Sequence, residues 1–521
     1  MILRDGARRS LWQNTVTEYT PASKESDTRF DVAIAGGGIT GITLAMLLQQ
    51  SGLKCVVMEA HALGFGTTGG TTAHLNTLLD TPYSTIIQDF GLENAKLVAS
   101  ATRSAIQLVK SNIERYSIEC GFEEVPGFLY AQNESQEKQL SKILDACMDV
   151  GLAPEYAAEI PVPIPFKTAM KISGQAKFHP LRYVYSLAAA FEAAGGVIVE
   201  QCRVLKSETV PNAGHQLLIE TSCGTFYADK MVYATHIPMG INLLHLRCSP
   251  YRSYAMAVKL EDDAYPKELV YDMYDPYHYY RTQIVDGEKY LIVGGEDHQT
   301  GEEPNTSGCF LKLESHIRSY FKVAEVIDQW SSQYFEPVDG LPYIGHLPGN
   351  PANVYVATGY GGNGITYSHV AAIVLKHLIV GEKDPYKEVF SPARLKPVAG
   401  FTEFVKHNAD VVKQFVGKWF GKEELQQVAA LAPGEAKVVS YKDHTIALYK
   451  DAEGTLHAVD PICTHMKCSV SWNAAEKSWD CPCHGARFSF TGEVITGPAN
   501  KSLEPVEIRS LAWQELIHPE D

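Results

Sequence analysis

The sequence predicts an α/β fold that is followed by a small all-β domain. Near the N terminus, an apolar strand at residues 30–35, a helical stretch at 39–50 and a second apolar strand at 55–59 form a β-α-β unit of the usual size. Residues 251–295 are rich in Tyr, Val and Ile, which favours a mostly antiparallel sheet interleaved with the α/β part. From residue 428 onward, short strands alternate with turns, and this predicts a separate β domain.

Other segments continue the alternation of strands and helices. The expected helices cover 181–194 and 366–380, and the expected strands cover 197–204, 226–234, 354–358, 437–439, 446–449 and 457–459. These elements divide the chain into a polar N-terminal arm (1–28), the α/β part with its interleaved sheet (29–395), a charged, helix-prone connection (396–427) and the β domain (428–521).

Composition excludes several classes of protein. The chain has 521 residues, of which 45% are hydrophobic and 20% charged, so it is globular. A formal net charge of −16 argues against a nucleic-acid surface, which needs clustered cations. The N terminus lacks the apolar segment of a secretory signal, and glycines interrupt the longest apolar stretch, residues 32–48. We therefore expect a cytoplasmic protein without a transmembrane segment.

A glycine-rich turn joins the first strand to the helix. Gly36, Gly38 and Gly41 fit the pattern G-x-G-x-x-G, and Glu59 ends the next strand. The first glycine permits the tight turn, the second permits close approach of a pyrophosphate, and the third lets the helix pack on the sheet. An acid at the end of the second strand accepts hydrogen bonds from an unphosphorylated ribose, as in NAD or FAD. The predicted contacts of this Rossmann-type site are Gly36, Gly38, Ile39, Thr40, Gly41 and Glu59.

Three later segments favour FAD over NAD. Residues 64–72 form a small, hydroxyl-rich loop that can wrap a second phosphate. Residues 233–236 end a strand where flavoproteins often carry an Ala-Thr-Gly turn, although the last position here is His. Residues 339–345 precede the strand 354–358 and the glycine-rich run 361–366. The cofactor contacts predicted in these segments are Thr67, Thr68, Ala234, Thr235 and Gly340.

Through these motifs, residues 28–390 resemble the D-amino-acid oxidase, sarcosine oxidase and glycine oxidase superfamily of FAD enzymes. The resemblance implies that the last glycine-rich run opens a helix toward the pyrimidine edge of the flavin, and that Val204 contacts the adenine through its backbone. The residues expected at the pyrimidine edge are Gly362, Asn363, Gly364 and Ile365.

A second G-x-G-x-x-G match, at residues 359–364, raises the alternative of a separate NAD(P)H site. Such a site needs a strand that ends in an acid after the helix. Residues 381–385 (Gly-Glu-Lys-Asp-Pro) are not such a strand, so we do not predict this second site.

Four cysteines and two histidines cluster near the C terminus. Cys463 and His465 are separated by one residue, and Cys481 and His484 by two. Two thiolates on one iron and two imidazoles on the other define a Rieske [2Fe-2S] cluster. The alternative is a structural zinc site that uses any four of the six side chains. The other seven cysteines are scattered, and we expect them to be small buried hydrophobic residues.

Residues 428–515 resemble Rieske proteins of cytochrome bc complexes. This resemblance implies a disulfide between Cys468 and Cys483, and it matches residues 497–499 to the third loop around the cluster. Respiratory Rieske proteins commonly carry a Ser and a Tyr where this chain has Ala486 and Phe488. Because those hydroxyls donate hydrogen bonds to sulfur, their absence predicts a lower reduction potential.

The two cofactors together suggest a function. We expect hydride transfer from an amine or amino-acid-like substrate to FAD, followed by single electrons to the cluster and an external one-electron carrier. The alternatives are a reductase in which electrons enter through the cluster, and a non-catalytic sensor or docking module. A Rieske oxygenase is not expected, because the sequence has no His-x4-His pair for a mononuclear iron. The superfamily often binds substrate with Arg, Tyr or His, and the candidates are His74, Arg252, Tyr254, His278, Tyr280 and Arg281.

Overall fold

The structure, a computed structural model, describes residues 6–22, 27–210, 216–394, 423–424, 431–441 and 444–507. Its first sheet has eight strands. In spatial order, six of them are Tyr343–His346, Val354–Thr358, Gly224–Tyr233, Arg29–Ala35, Cys55–Met58 and Val197–Val199, and the hairpin Val204–Thr209 and Leu217–Thr221 joins them at Gly224–Tyr233.

The centre of this sheet is parallel. Arg29–Ala35 pairs in parallel with Cys55–Met58 on one side and with Gly224–Tyr233 on the other. Helix Ile39–Gln50 connects the first two strands and is buried along most of its length, because it packs against helix Gly364–Val380. The carboxyl ends of the parallel strands therefore meet at one edge, which is where such folds place ligands.

A second sheet of nine strands packs beside the first. Its strands are Val323–Pro337, Cys248–Leu260, Glu288–Gln299, Tyr279–Val285, Leu269–Tyr271, Glu123–Ala131, Thr168–Lys177 and His74–Leu75, with Pro154–Ala157 paired to Thr168–Lys177. The strands of residues 248–299 are antiparallel to their neighbours apart from one parallel pair, which agrees with the predicted sheet.

Helices cover both sheets. They are Leu11–Asn14, Ile39–Gln50, Thr67–Gly70, Tyr83–Phe90, Leu92–Tyr116, Glu134–Asp149, Pro180–Ala193, Thr306–Tyr320 and Gly364–Val380, with a 3-10 turn at Leu243–Leu246. Among the described residues, no helix is long and apolar enough to cross a membrane. We call residues 27–394 the large unit.

The C-terminal unit comprises the described residues from 423 onward and consists of two small sheets. The first contains Glu423–Glu424, Ala436–Tyr441, His444–Lys450 and Leu456–Val459, and the second contains Ser471–Asn473, Ser478–Asp480, Arg487–Ser489 and Val494–Thr496. The observed architecture confirms the predicted fold class, an α/β part with an interleaved sheet followed by a small β domain.

Some elements differ from the expectations. The stretch 197–204 is not one strand, because Val197–Val199 ends before Val204–Thr209 begins. The expected connection 396–427 lies outside the described residues, except for Glu423–Glu424, which already pairs with the small β sheet. Cys202 and Cys223 are not isolated small residues but form a disulfide.

The N-terminal arm is packed rather than free. Trp12 is fully buried, and its Nε1 donates a hydrogen bond to the Thr71 carbonyl at 2.6 Å. Ser10 Oγ donates to the Gly69 carbonyl, and the Ala7 amide donates to Glu476 in the C-terminal unit at 3.3 Å. The arm therefore supports the second glycine-rich loop from behind and touches both units.

Candidate functional site

A large cavity opens between the carboxyl edge of the first sheet and the facing second sheet. Almost all residues predicted to bind FAD line this cavity. They are Gly36, Gly38, Ile39, Thr40, Glu59, Thr67, Thr68, Val204, Ala234, Thr235, Gly362, Asn363, Gly364 and Ile365. Two predicted residues are not in its lining. Gly41 packs the helix against the first turn, and Gly340 lies beside Thr81.

The first glycine-rich turn has no room for side chains. A Cβ on Gly36, whose φ is +107°, would lie 2.4 Å from the Ala234 carbonyl oxygen. A Cβ on Gly41 would lie 2.0 Å from the Gly36 oxygen, and one on Gly38 would lie 2.9 Å from Thr68 Oγ1. Backbone thus lines the cavity where the helix begins, and this arrangement fits a pyrophosphate.

Glu59 lies where the sequence places the ribose contact. Its carboxylate accepts hydrogen bonds from the amides of Gly37, at 2.7 Å, and His61, at 2.9 Å. Burial raises the pKa of Glu59, while these amides and Arg203 oppose the shift. The carboxylate is fixed by backbone donors and can still accept from ribose hydroxyls.

The second loop folds back on the first. Thr68 Oγ1 accepts a hydrogen bond from the Ile39 amide at 3.0 Å, and Thr67 Oγ1 lies 3.2 Å from His236 Nδ1. His236 occupies the third position of the Ala-Thr-His turn with a φ of +70°, a left-handed conformation that explains why glycine is common there. Burial lowers the pKa of His236 to about 4, so the imidazole is neutral.

The last glycine-rich run is fixed by an acid that the sequence analysis did not select. Asp80 Oδ2 accepts a hydrogen bond from the Gly362 amide at 2.8 Å. The Asp80 amide in turn donates to Asn363 Oδ1 at 2.8 Å. Helix Gly364–Val380 begins at this point, facing the cavity.

His74 is the one predicted substrate contact that lines the cavity. Its Nδ1 lies 2.8 Å from the Tyr271 hydroxyl, and its buried Nε2 has no hydrogen-bond partner among the described residues. Burial, together with the positive charges of Arg281 and Lys177, lowers the pKa of His74 well below its usual value. A neutral His74 therefore offers one hydrogen bond to a ligand at Nε2, as donor or as acceptor according to its tautomer.

The predictions for Arg252 and Tyr254 are wrong as substrate contacts. Successive side chains of a strand point to opposite faces, and here Ser253 between them lines the cavity. Arg252 is fully buried on the far face, 3.8 Å from Asp480 of the C-terminal unit. Tyr254 hydrogen-bonds His298 at 2.9 Å on the same side.

Tyr280, His278 and Arg281 are also outside the cavity lining, and Tyr279 takes the place predicted for Tyr280. The Tyr280 hydroxyl contacts His316, and His278 Nδ1 contacts Asp272 at 2.8 Å. Arg281 donates to the carbonyls of Thr72 and Ala73 and so fixes the second loop from behind.

Several residues of the second sheet, together with Tyr277 in the loop between two of its strands, reach the cavity without having been predicted. Strand alternation, applied from a correctly chosen starting residue, is the signal that would have found most of them. They are Ser253, Tyr271, Tyr277, Tyr279, Asp297, Gln333, Tyr334 and Phe335.

The second predicted site forms between two loops of the C-terminal unit. The thiols of Cys463 and Cys481 contact each other, and the rings of His465 and His484 have centroids 5.1 Å apart. His465 Nδ1 is buried without a hydrogen-bond partner among the described residues, as expected for an atom that binds a metal. The donor set fits a Rieske cluster with two thiolates and two imidazoles.

The remaining two cysteines of the cluster region do not offer thiolates. Cys468 and Cys483 form a disulfide with Sγ atoms 2.11 Å apart. Their sulfurs lie close to Cys481, but the disulfide excludes them as ligands. This leaves Cys463, His465, Cys481 and His484 as the four available donors, in agreement with the predicted pairing.

The predicted cluster site lies against the large unit. His465 Nε2 is 3.0 Å from the Gly240 carbonyl oxygen, and the His245 ring packs 4.6 Å from the His465 ring and 5.7 Å from the His484 ring. Gln333 Nε2 donates a hydrogen bond to the Gly485 carbonyl at 2.8 Å. Gln333 lines the cavity, and Gly485 follows His484, so one hydrogen bond joins the two sites.

Comparison with known proteins agrees with both sites. The sequence profile described as "FAD dependent oxidoreductase" matches residues 31–378. The chain belongs to this FAD-dependent oxidoreductase family. A second profile, "Rieske [2Fe-2S] domain", matches residues 422–508. The family enzyme described here therefore uses FAD and carries a Rieske [2Fe-2S] domain, which confirms both predicted cofactors.

Three similar proteins illustrate this assignment. The "Putative Rieske 2Fe-2S iron-sulfur protein YhfW" of Bacillus subtilis (strain 168) is 32% identical over 96% of this chain and 98% of its own length. The gamma-glutamylputrescine oxidoreductase of Escherichia coli (strain K12) is 22% identical over 72% of this chain and 90% of its own. The glycine oxidase structure from Geobacillus kaustophilus superposes with a TM-score of 0.58 and 20% identity, over 71% of this chain and 99% of its own.

Proposed function

We propose that this enzyme oxidises an amine or amino-acid-like substrate and sends the electrons through its Rieske domain to an external one-electron carrier. The hydrogen bond between Gln333 and Gly485 is the observation that carries the proposal. It joins a residue of the cofactor cavity to the loop that holds His484. Direct contact of this kind supports electron exchange within the chain.

The packing around this hydrogen bond also supports electron exchange between the two sites. Phe335 lines the cavity, and a Cβ added to Gly485 would lie 3.1 Å from its ring and 2.8 Å from Gln333 Nε2. Gly485 has a φ of +70° and leaves no space for a side chain. The absence of a side chain lets the cluster loop approach the cavity wall.

The imidazole edge of the cluster site is turned toward the large unit. Gly240 and His245 occupy the positions next to His465 and His484. The His245 ring is itself held by its Nε2 against the Pro238 carbonyl at 2.9 Å. The large unit therefore covers the imidazole edge of the cluster site. An external carrier is expected to bind at another surface of the Rieske domain.

When bound, FAD accepts a hydride from a substrate carbon, and a [2Fe-2S] cluster passes electrons singly. Oxidation of an amine to an imine removes two electrons and two protons, so two molecules of a one-electron carrier are reduced for each substrate. The chain itself contributes His74, whose neutral imidazole presents Nε2 for one hydrogen bond with a substrate. Tyr271 orients that imidazole through Nδ1.

The similar proteins support an amine or amino-acid substrate by their names alone. One is named for gamma-glutamylputrescine and another for glycine. An L-proline dehydrogenase from P. horikoshii has the same fold, with a TM-score of 0.56 and 16% identity over 71% of this chain and 98% of its own.

The test uses anaerobically purified enzyme that contains both cofactors. Secondary amines, diamines, amino acids, NAD(P)H and a reduced ferredoxin are added separately, while flavin absorbance and the electron paramagnetic resonance signal of the reduced cluster are recorded. We expect an amine to bleach the flavin before the cluster signal grows. Filling of the cluster by a reduced ferredoxin or NAD(P)H, with no response to any amine, would instead support the reductase alternative.

Gln333→Leu tests the contact between the sites. We expect flavin bleaching at the wild-type rate and slower growth of the cluster signal. Gln107→Leu, on the exposed surface of helix Leu92–Tyr116, is the matched control. Equal cluster kinetics in both variants would show that Gln333 has no part in electron exchange.

A further inference from the structure

We infer that the substrate end of the cavity selects a dication, a linear diamine or polyamine, over a monoamine or an amino acid. This inference rests on the proposed function only in taking the cavity as the place where substrate binds. It is carried by the carboxylates that border the cavity, by a buried carboxylate oxygen that makes no hydrogen bond among the described residues, by the lack of Arg and Lys side chains in the described lining at this end, and by a group of tyrosines.

Three carboxylates meet at this end of the cavity. Asp80 and Asp297 line it directly. Glu336 lies just behind Gly361, where an added Cβ would be 3.5 Å from Glu336 Oε1 and 3.7 Å from Asp80 Oδ2. Neighbouring carboxylates repel each other when they are charged, and a bound cation offsets this repulsion.

Asp297 is an independent sign of a missing partner. Its Oδ2 accepts a hydrogen bond from the Tyr334 hydroxyl at 2.8 Å. The Ser253 hydroxyl also interacts with this carboxylate, but Oδ1 is buried and makes no hydrogen bond among the described residues. A buried carboxylate oxygen without a donor is costly, and an ammonium group of a ligand would supply the missing hydrogen bond.

No side chain in the described lining offers a positive charge at this end. Arg203 is the only Arg or Lys among the lining residues, and it contacts His61 at 3.0 Å and the Val494 carbonyl at 3.2 Å, beside Glu59. Burial keeps the pKa of His74 and His61 low, so both are neutral. A substrate carboxylate at this end would therefore meet acids and no cationic side chain of the lining. His278 acts on Asp297 from outside the lining. Burial disfavours its charged imidazole, but hydrogen bonds to Asp272 and Glu296 raise the pKa of His278 to about 9.

Tyrosines complete the environment for a cation. Tyr277, Tyr279 and Tyr334 line the cavity, and the Tyr277 and Tyr279 rings lie 5.6 Å apart. The Tyr277 hydroxyl is 3.5 Å from Asp80 Oδ1. Aromatic faces attract ammonium groups, and the hydroxyls orient the acids. The same end of the cavity thus combines ring faces with carboxylates.

The number of charges favours a dication. One amine must lie with its neighbouring carbon at the flavin and lose a proton during oxidation. A second ammonium group remains charged, and Asp297 can hold it. A monoamine has no second ammonium group, so the Asp297 carboxylate stays without a partner. An amino acid carries a carboxylate in place of that ammonium group, and the acids of the cavity repel it.

The experiment compares three probes of equal chain length: 1,4-diaminobutane, butylamine and 4-aminobutyrate. Each is mixed anaerobically with the FAD- and cluster-loaded enzyme, and Kd is taken from the rapid change of the flavin spectrum on binding. We expect 1,4-diaminobutane to bind about 10- to 100-fold more tightly than butylamine, as for one charged hydrogen bond, and 4-aminobutyrate to bind most weakly.

Asp297→Asn keeps the shape and the contact with Tyr334 but removes the charge. It should reduce the preference for diamine over monoamine about tenfold. Asp149→Asn, at the exposed end of helix Glu134–Asp149, should leave the preference unchanged. An unchanged preference in Asp297→Asn, equal binding of butylamine, or stronger binding of 4-aminobutyrate would each overturn the inference.

Bleaching of the flavin separates this inference from the proposed function. Tight, Asp297-dependent binding of diamine without bleaching supports the dication site and contradicts amine oxidation. Bleaching by butylamine with no preference for diamine supports amine oxidation and contradicts the dication site.

Discussion

The cofactor cavity and the iron-sulfur site are built in opposite ways. The four predicted cluster ligands come from two short loops of one small unit, Cys463–His465 and Cys481–His484. The cavity is assembled from segments as distant as Gly36 and Gln333, on two different sheets. A site made of short loops can be identified from spacing alone, whereas a site between sheets depends on which face of each strand is turned inward.

The largest expected effect comes from breaking the compact site. Cys463→Ser removes one thiolate donor, so we expect loss of the cluster signal and a loss of about 100-fold or more in electron delivery to a one-electron acceptor. Residues that only hydrogen-bond to metal ligands typically cost about 10- to 100-fold when they are mutated, and loss of a ligand itself should cost at least as much. Flavin bleaching by substrate should persist. Absorbance, iron content and paramagnetic resonance measure the outcome.

Cys309→Ser is the control, because Cys309 is a buried free cysteine on helix Thr306–Tyr320, in the large unit. A cluster retained in Cys463→Ser, or lost equally in Cys309→Ser, would contradict the ligand assignment.

The cofactor cavity is expected to be most sensitive at the first glycine-rich turn. Gly36→Ala places a Cβ 2.4 Å from the Ala234 oxygen at a φ of +107°, so we expect loss of FAD and a decrease of about 2–4 kcal/mol in the free energy of unfolding. Gly52→Ala also has a positive φ, +83°, but nothing lies within 4 Å of its Cβ.

The control should therefore cost only about 1 kcal/mol and keep FAD. Flavin content and thermal unfolding are measured for both variants. Gly52→Ala reports the cost of backbone strain alone, and Gly36→Ala adds the steric contact with Ala234. Equal FAD retention in both would show that the close approach at Gly36 is unimportant.

The acids of the cavity predict a pH dependence. Burial raises the pKa of Asp80 to about 6, and burial with neighbouring acids raises the pKa of Asp297 to about 7 and of Glu336 to about 8. Each carboxyl loses its negative charge as the pH falls through its pKa. The Kd for 1,4-diaminobutane should therefore rise as the pH is lowered from 8 to 6, with a bound cation shifting each step to lower pH.

This dependence should be weaker in Asp297→Asn, because one titrating carboxyl is absent. Tyr277 and Tyr334 also face the acids, but burial and the nearby negative charges raise their pKa far above this range, so they stay neutral. A Kd that is constant over this interval, or that falls at lower pH, would contradict the role of the acids.

The smallest expected effect concerns the cluster potential. Phe488 is fully buried in the strand Arg487–Ser489, at the position where respiratory Rieske proteins carry a tyrosine. Phe488→Tyr supplies a hydroxyl donor. One hydrogen bond of about 1 kcal/mol to sulfur should raise the reduction potential by about 40 mV. Redox titration of the cluster signal measures the change, and a lower potential would contradict the expectation.

The same contrast explains what could be predicted from the sequence. Spacing alone led to the predictions for the glycine turn, for Glu59 and for the cluster residues, because local backbone geometry and ligand chemistry restrict those positions. Arg252 and Tyr254 were wrongly selected, because no local signal shows which face of a long strand meets a distant sheet. The bulge in the pairing between Arg252 and Tyr254 further obscures that alternation.

Long-range packing was also beyond the sequence. Trp12 and Glu476 contribute to contacts between segments more than 50 residues apart along the chain. Asp80 follows a loop without any motif, yet it fixes Gly362, 282 positions away. Such residues are identified only once the two sheets and the C-terminal unit are placed together.

The most direct test of the account follows both centres in time after one addition of 1,4-diaminobutane to anaerobic enzyme. Rapid freezing at successive times resolves the flavin absorbance and the cluster signal in wild type and in Gln333→Leu. The account predicts flavin bleaching first, cluster reduction second, and a delay of only the second step in the variant. Cluster reduction that precedes flavin bleaching, or proceeds without it, would contradict the proposed direction of electron flow.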